Sequence, residues 1–226
     1  MNSSTTEKNK GYFALLLTSV LWGTTWVASK NALKYLPGLQ LSYLRQFIAG
    51  SFFLIYFILI KRLPLPKPKE FKSLIIMSIL MFVTANALST WGLKYLPTGL
   101  AALIGALYPI IVVGIDWLLF KKRDLKKITV FGLIIGVLGV FYVFYENMGM
   151  KINADSIFGL LLSFVAIFCW SLGTVLYSKQ NATINPYYAM GWKMLIGSFI
   201  LFICTNLSTH VVPLNQLDQM AWVSLF

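Results

Sequence analysis

Charge is what this sequence has least of. Only 12% of its 226 residues are Asp, Glu, Lys or Arg, where soluble domains carry about a quarter. So little ionic surface cannot cover a water-soluble domain. Lipid is the solvent that suits 58% hydrophobic residues and a mean hydropathy of +0.75. Acids are scarcer than bases, 7 against 19. The single histidine, His210, leaves a histidine-based metal or catalytic site without its ligands. Both cysteines, Cys169 and Cys204, lie inside apolar runs, which excludes a disulfide framework and leaves them as small core residues. The chain has no Walker-type glycine loop, no HExxH, no GxSxG and no pair of intramembrane acids. ATP coupling and intramembrane hydrolysis therefore lack their residues, and neither an enzyme nor a bound cofactor is expected.

What the sequence does have is long apolar runs. About 20 apolar residues cross a bilayer as a helix, and runs of that size occupy 12–33, 40–60, 73–92, 98–120, 128–146, 157–178 and 187–206. Lipid offers no partner to free backbone N–H and C=O groups, so each run must be helical. The expectation is an all-α, multi-spanning membrane protein with seven complete transmembrane helices and the start of an eighth from about Met220 to Phe226. Residues 1–11 are hydrophilic, and the run that follows is too long for a signal-peptide core. They are read as a cytoplasmic tail before an uncleaved first span.

The net charge of +12 is placed by topology. With the N-terminus inside, the inner segments carry thirteen Lys and Arg: Lys8, Lys10, five within 61–72, five within 121–127, and Lys179. The outer segments carry four: Lys30, Lys34, Lys94 and Lys151. That asymmetry predicts a multi-pass cell-membrane protein with a cytoplasmic N-terminus. It leaves no soluble basic domain for nucleic acid.

Polar residues inside the spans are the candidates for function. Thr18, Trp22, Thr25 and Ser29 recur at i, i+4, i+7 and i+11 and share one face of the first span, with Trp26 on its flank. Helix packing through small polar residues explains such a face equally well, but Trp22 lies too deep for an interfacial belt. Ser163, Trp170 and Thr174 make a comparable face in the sixth span, and Asn86 and Thr90 share one in the third. Arg45 lies some five residues inside the outer end of the second span, and Lys193 about six inside the inner end of the seventh. Intramembrane charge usually faces a protein or water-filled interior, although both side chains could snorkel to headgroups. Asp116 could meet Lys193 or reach toward Lys121 to Arg123. Leu33-Lys34-Tyr35-Leu36-Pro37 recurs as Leu93-Lys94-Tyr95-Leu96-Pro97, read as one helix-end signal used at two outer hairpins.

Several of these residues fall into a familiar order: Trp22-Gly23, Arg45-Gln46-Phe47, the small-residue stretch Gly99 to Ala106 leading to Tyr108-Pro109, and Gly132 to Gly136-Val137. The pattern resembles the EamA family of the drug/metabolite transporter superfamily. The resemblance implies inverted five-helix repeats, ten spans in a full-length member, with 12–148 as the first repeat and 157–226 as an incomplete second. On that expectation the chain is C-terminally truncated. Internal matches support duplication: Trp22 with Trp170 at an offset of 148, Ser29-Lys30 with Ser178-Lys179 at 149, and Gly50-Ser51-Phe52 with Gly197-Ser198-Phe199 at 147. An odd number of spans per copy inserts the copies in opposite orientation. The chain departs from the family at Phe120-Lys121-Lys122-Arg123, where members often carry a glutamate.

The implied activity is secondary transport, exporting a small organic metabolite or amino acid by alternating access. A channel-like protein or a truncated, non-transporting subunit is the alternative. The expected substrate-binding residues are Trp22, Thr25, Trp26, Arg45, Asn86, Thr90, Tyr108, Trp170, Thr174 and Lys193. The expected partners are the small-molecule substrate, the lipid bilayer and a second copy in a homodimer.

Overall fold

A computed structural model describes residues 3–120, 126–146, 153–180, 184–207 and 211–217, together with 219 and 222. Each apolar run folds as a helix: α1 Ser3–Ala32, α2 Gly38–Ile60, α3 Pro68–Tyr95, α4 Thr98–Phe120, α5 Lys127–Glu146, α6 Ala154–Ser178 and α7 Pro186–Leu207. No strand occurs among the described residues. Six of these helices are long and apolar enough to cross a membrane, while the apolar stretch of α5, Lys127–Tyr142, is shorter. Seven complete spans were expected, so the described residues support six and a shorter seventh. Most of the expected eighth span, the basic residues Lys121 to Arg123, Lys151 and His210 lie outside the described residues.

The helices overrun the apolar runs at several ends. α1 is already helical at Ser3, within the stretch read as a tail, because propagating a helix costs far less than nucleating one. α3 begins at Pro68, where a missing N–H does no harm. The Lys67 backbone N–H donates to the Glu70 carboxylate at 2.7 Å, closing that end.

The two Leu-Lys-Tyr-Leu-Pro copies have a packing cause as well as a turn cause. Pro37 and Pro97 precede α2 and α4 in nearly the same conformation, φ −58° with ψ 147° and 142°. Leu36, Leu93 and Leu96 are all buried. Lys30 Nζ donates to the carbonyls of Leu93, Lys94 and Leu96 at 2.5, 3.0 and 2.8 Å, satisfying the otherwise unpaired last turn of α3. The first hairpin is thereby tied to the second.

The core is built from α2, α3, α6 and α7. α2 and α7 run antiparallel: Ser198 Oγ donates to the Tyr43 carbonyl at 3.0 Å, and a Cβ on Gly50 would lie 2.9 Å from Met194 Cβ. α3 and α6 are also antiparallel, with a Cβ on Gly92 falling 2.9 Å from the Gly159 carbonyl. α3 reaches α7 through Ser78 Oγ, which donates to the Lys193 carbonyl at 2.6 Å. α4 leans on α6, α1 packs chiefly on α4 with fewer contacts to α3, and α5 rests on α4. The Gly132 and Gly136 pair, which read as a helix-packing motif, has no neighbouring atom within 4 Å of either Cβ position. The close helix approaches use other glycines.

Three spans are irregular, and α2 ends in a π-helical stretch at Tyr56–Ile60. α3 passes through a π-helical stretch at Ser78–Ala85. α4 breaks at Leu107, two residues before Pro109, which has no N–H to donate and crowds the preceding turn.

Candidate functional site

The half of the core nearer the start of α2 collects polar side chains from three helices. Arg45 on α2 donates through Nη1 to Ser29 Oγ on α1. One turn away on the same face of α2, Ser42 Oγ donates to Thr90 Oγ1 of α3 at 3.0 Å. Thr90 Oγ1 in turn donates to the Asn86 carbonyl at 2.9 Å. Arg45 and Thr90 thus meet the same face of α2, Thr90 through Ser42, whereas Asn86 takes part through its backbone carbonyl.

A second group lies deeper, on α6 and α7. Trp170 meets Phe82 of the π-helical stretch edge-on, ring centroids 5.6 Å apart. Thr174 Oγ1 donates to the Trp170 carbonyl at 3.0 Å. Lys193 is 3% exposed, and its ammonium sits 4.1 Å from the centre of the Tyr177 ring, a cation–π contact. Gln46 joins the two groups: it adjoins Arg45 and donates through Nε2 to the Phe82 carbonyl at 2.9 Å. Its Oε1 is buried and unpartnered, as is Ser171 Oγ.

The register of α2 on α7 sets the spacing of the two cations along the core. Gly50 faces Gly191, Met194 and Leu195, so Lys193 lies level with about residue 50. Arg45 is then only about 7 Å away along the helix axis, at 1.5 Å per residue. Both cations straddle the middle of α2, though they are bonded to different neighbours.

Asp116 does not pair with Lys193, and its other expected partners, Lys121 to Arg123, lie outside the described residues. Its carboxylate pairs with Lys179 Nζ at 2.8 Å, and that ammonium lies 4.8 Å from the Phe120 ring centre. Lys193 is held by an aromatic face instead: α6 supplies Tyr177 to Lys193 as well as Lys179 to Asp116.

The first-span face divides along its length. Ser29 is buried and engaged, whereas Trp22 and Thr25 are exposed, and Thr25 Oγ1 bonds back to the Leu21 carbonyl at 2.7 Å. Trp26 packs on α4, with a Cβ on Gly105 falling 3.2 Å from its ring. Tyr108 is half-buried beside the break in α4. Sequence reasoning passed over Ser42, Gln46 and Tyr177. Two signals were present: Gln46 is a polar letter inside an apolar run, and Ser42 lies three residues before Arg45.

The sequence profile of the EamA-like transporter family matches residues 9–145. The chain belongs to this family. It is similar to the uncharacterized transporter YoaV of Bacillus subtilis (strain 168), 30% identical over 219 residues, 96% of this chain and 74% of that protein. A second protein of that organism, the uncharacterized transporter YvbV, is 30% identical over 197 residues, 87% of this chain and 63% of its own length. The uncharacterized inner membrane transporter YedA of Escherichia coli (strain K12) is 22% identical over 218 residues, 94% of this chain and 69% of its own. The chain thus spans less than two thirds of YvbV. A solved crystal structure, 18% identical, shares the fold with a TM-score of 0.64 over 90% of this chain and 71% of its own. The expected membership of the drug/metabolite transporter superfamily is borne out, and this EamA-family chain is a multi-pass membrane protein of a transporter family.

Proposed function

We propose that this chain builds the solute path of a secondary transporter that exports a small carboxylate-bearing metabolite or amino acid by alternating access. Lys193 carries the reading. A cation buried within a helix long and apolar enough to cross a membrane is costly, and no acidic side chain pairs with Lys193 among the described residues. An arriving carboxylate would complete it, with Arg45 as the second cation about 7 Å further out along the axis. Trp22, Thr25, Trp26, Asn86, Thr90, Tyr108, Trp170 and Thr174 supply the remaining walls and hydrogen bonds of the proposed path. Thr90 already meets the face of α2 that carries Arg45, Asn86 takes part through its backbone carbonyl, and Trp170 and Thr174 stand in the Lys193 group.

The same reading has a cytoplasmic N-terminus, a proton or solute gradient as driver, inverted repeats related as Gly50 is to Gly197, and a homodimer as one assembly. Five-helix copies in opposite orientation support alternation, since each arrangement can open toward one side.

Gradient-dependent counterflow in proteoliposomes, run over a panel of organic acids and amino acids, tests the proposal. Saturable counterflow that Arg45→Ala and Lys193→Met both abolish, with folding intact, is the expected result. Trp22→Ala is expected to impair it as well. Flux that does not saturate would point to a channel. Undiminished flux in all three variants would remove these residues from the path.

A further inference from the structure

The hairpin joining α2 to α3 has three features that topology alone does not require. First, it concentrates charge: Lys61, Arg62, Lys67, Lys69 and Lys72 lie within twelve residues, with Glu70 as the one acid among them. Second, a groove of about 520 Å³ opens beside it, lined by Pro66, Pro68, Phe71, Lys72, Ile75 and Ile76. That volume falls in the range of small-molecule sites. Its apolar wall continues up the exposed side of α3, and Lys72 stands at its rim. Phe71 is held in place from behind by the Trp192 ring, centroids 5.7 Å apart.

Third, Arg62 has a φ of 52°, the left-handed region where glycine is the usual helix-ending residue. The Leu63 N–H donates back to the Phe57 carbonyl at 3.0 Å, closing the π-helical last turn Tyr56–Ile60 of α2. A glycine would make the turn without strain. The chain places a guanidinium there instead, and residues held in strained backbone conformations concentrate at functional positions.

We infer that this hairpin is a binding site for one anionic glycerophospholipid. Its phosphate is held by Arg62, Lys67, Lys69 and Lys72, and one acyl chain lies in the groove over Phe71, Ile75 and Ile76. Charge complementarity favours a lipid anion. The apolar groove continuing from the basic rim fits a ligand with a charged head and a hydrocarbon tail. Orienting the protein requires only basic residues somewhere on this side; it requires neither the groove nor a cation in a left-handed turn.

Native mass spectrometry of the purified protein with equimolar phosphatidylglycerol and phosphatidylcholine tests the inference. The expected result is one phosphatidylglycerol retained with a preference on the order of several hundredfold, about fivefold for each of the four cations near the headgroup. Joint Lys67→Gln, Lys69→Gln and Lys72→Gln substitution should bring that preference down to about fivefold. Arg62→Gly should lower it about fivefold while raising the melting temperature, a combination that a purely structural role would not produce. Ile75→Trp, which fills the groove and keeps every charge, should reduce retention as well. If the triple variant does not fold, Arg62→Gly and Ile75→Trp carry the test. Equal loss on replacing Lys126 and Lys127 by Gln would reduce the effect to diffuse surface charge and overturn the site. So would full competition by glycerophosphoglycerol without acyl chains, which would make it a site for a free phosphate. Equal retention of the two lipids by the unaltered protein would also overturn it.

Discussion

A lysine ammonium buried among apolar helices has to be held by something, and in this protein that something is a ring. The Tyr177 face stabilises the Lys193 charge by a cation–π contact worth about 2 kcal/mol when water is excluded, well short of the desolvation cost of an ion. Replacing a buried ion by an apolar side chain of similar length is often neutral or stabilising. Lys193→Met is therefore expected to melt at the same temperature or higher while counterflow is lost. A thermal melt beside a flux assay checks this, and a clearly lower melting temperature would make Lys193 a structural residue. Trp22, by contrast, is exposed, so Trp22→Ala should change stability by less than about 0.5 kcal/mol, as read by the same melt. At this scale the sequence showed which residues matter, because a polar letter in an apolar run stands out. It did not show their partners. Whether Asp116 meets Lys193 or Lys179 depends on how the helices pack, and nothing local records that.

Helix positions were legible for a related reason: lipid leaves a backbone one regular solution, so the apolar run and the helix nearly coincide. Pairing was not legible. Gly132 and Gly136 have the spacing of a packing motif and touch nothing, while Gly50, Gly92, Gly159 and Gly191 admit close neighbours. Those contacts come from α2 on α7 and α3 on α6, pairs far apart in sequence. Gly50→Ala would set a methyl 2.9 Å from Met194 Cβ and 3.0 Å from the Leu195 backbone nitrogen, an overpacking expected to cost about 1–3 kcal/mol. Gly132→Ala should be neutral or slightly stabilising, since alanine is the better helix former. Thermal melts of the two variants side by side decide between tertiary packing and sequence motif. Lys30 acts at the level of a helix end: Lys30→Met leaves two carbonyls of α3 and that of Leu96 just after it without their donor. Hydrogen exchange at the amides following Leu93 is expected to accelerate there while the rest of α3 stays protected. Uniform acceleration along α3 would mean that the contact supports the whole helix and not its last turn.

At the scale of the molecule, both ends of the core are pinned. At the end where α2 begins, Gln40 is fully buried and bonds the Val212 backbone twice, donating through Nε2 at 2.6 Å and accepting through Oε1 at 2.9 Å. This pulls residues 211–217 across the cluster that contains Leu41, Tyr43 and Leu201. At the opposite end, Lys179 pairs with Asp116, and Ser73 Oγ donates to Gln180 Oε1, tying the end of α6 to both α4 and α3. On the proposed alternating-access reading, the two sets would have to open in turn. The repeated letters, the basic loops and the family pattern all foreshadowed a transporter fold. The pins were hidden, since each joins residues more than sixty positions apart. Thr174, half-buried on α6 beside Trp170, is a suitable reporter as Thr174→Cys in a background carrying Cys169→Ala and Cys204→Ala. With Asp116→Asn and Ser73→Ala combined, labelling by a membrane-impermeant thiol reagent should rise from the side where α3 begins. With Gln40→Leu alone it should rise from the other side, because an apolar side chain leaves the Val212 N–H and carbonyl unpaired. Rates that rise equally from both sides would indicate loosening of the whole bundle. Rates unchanged in both variants would show that these contacts do not gate the path.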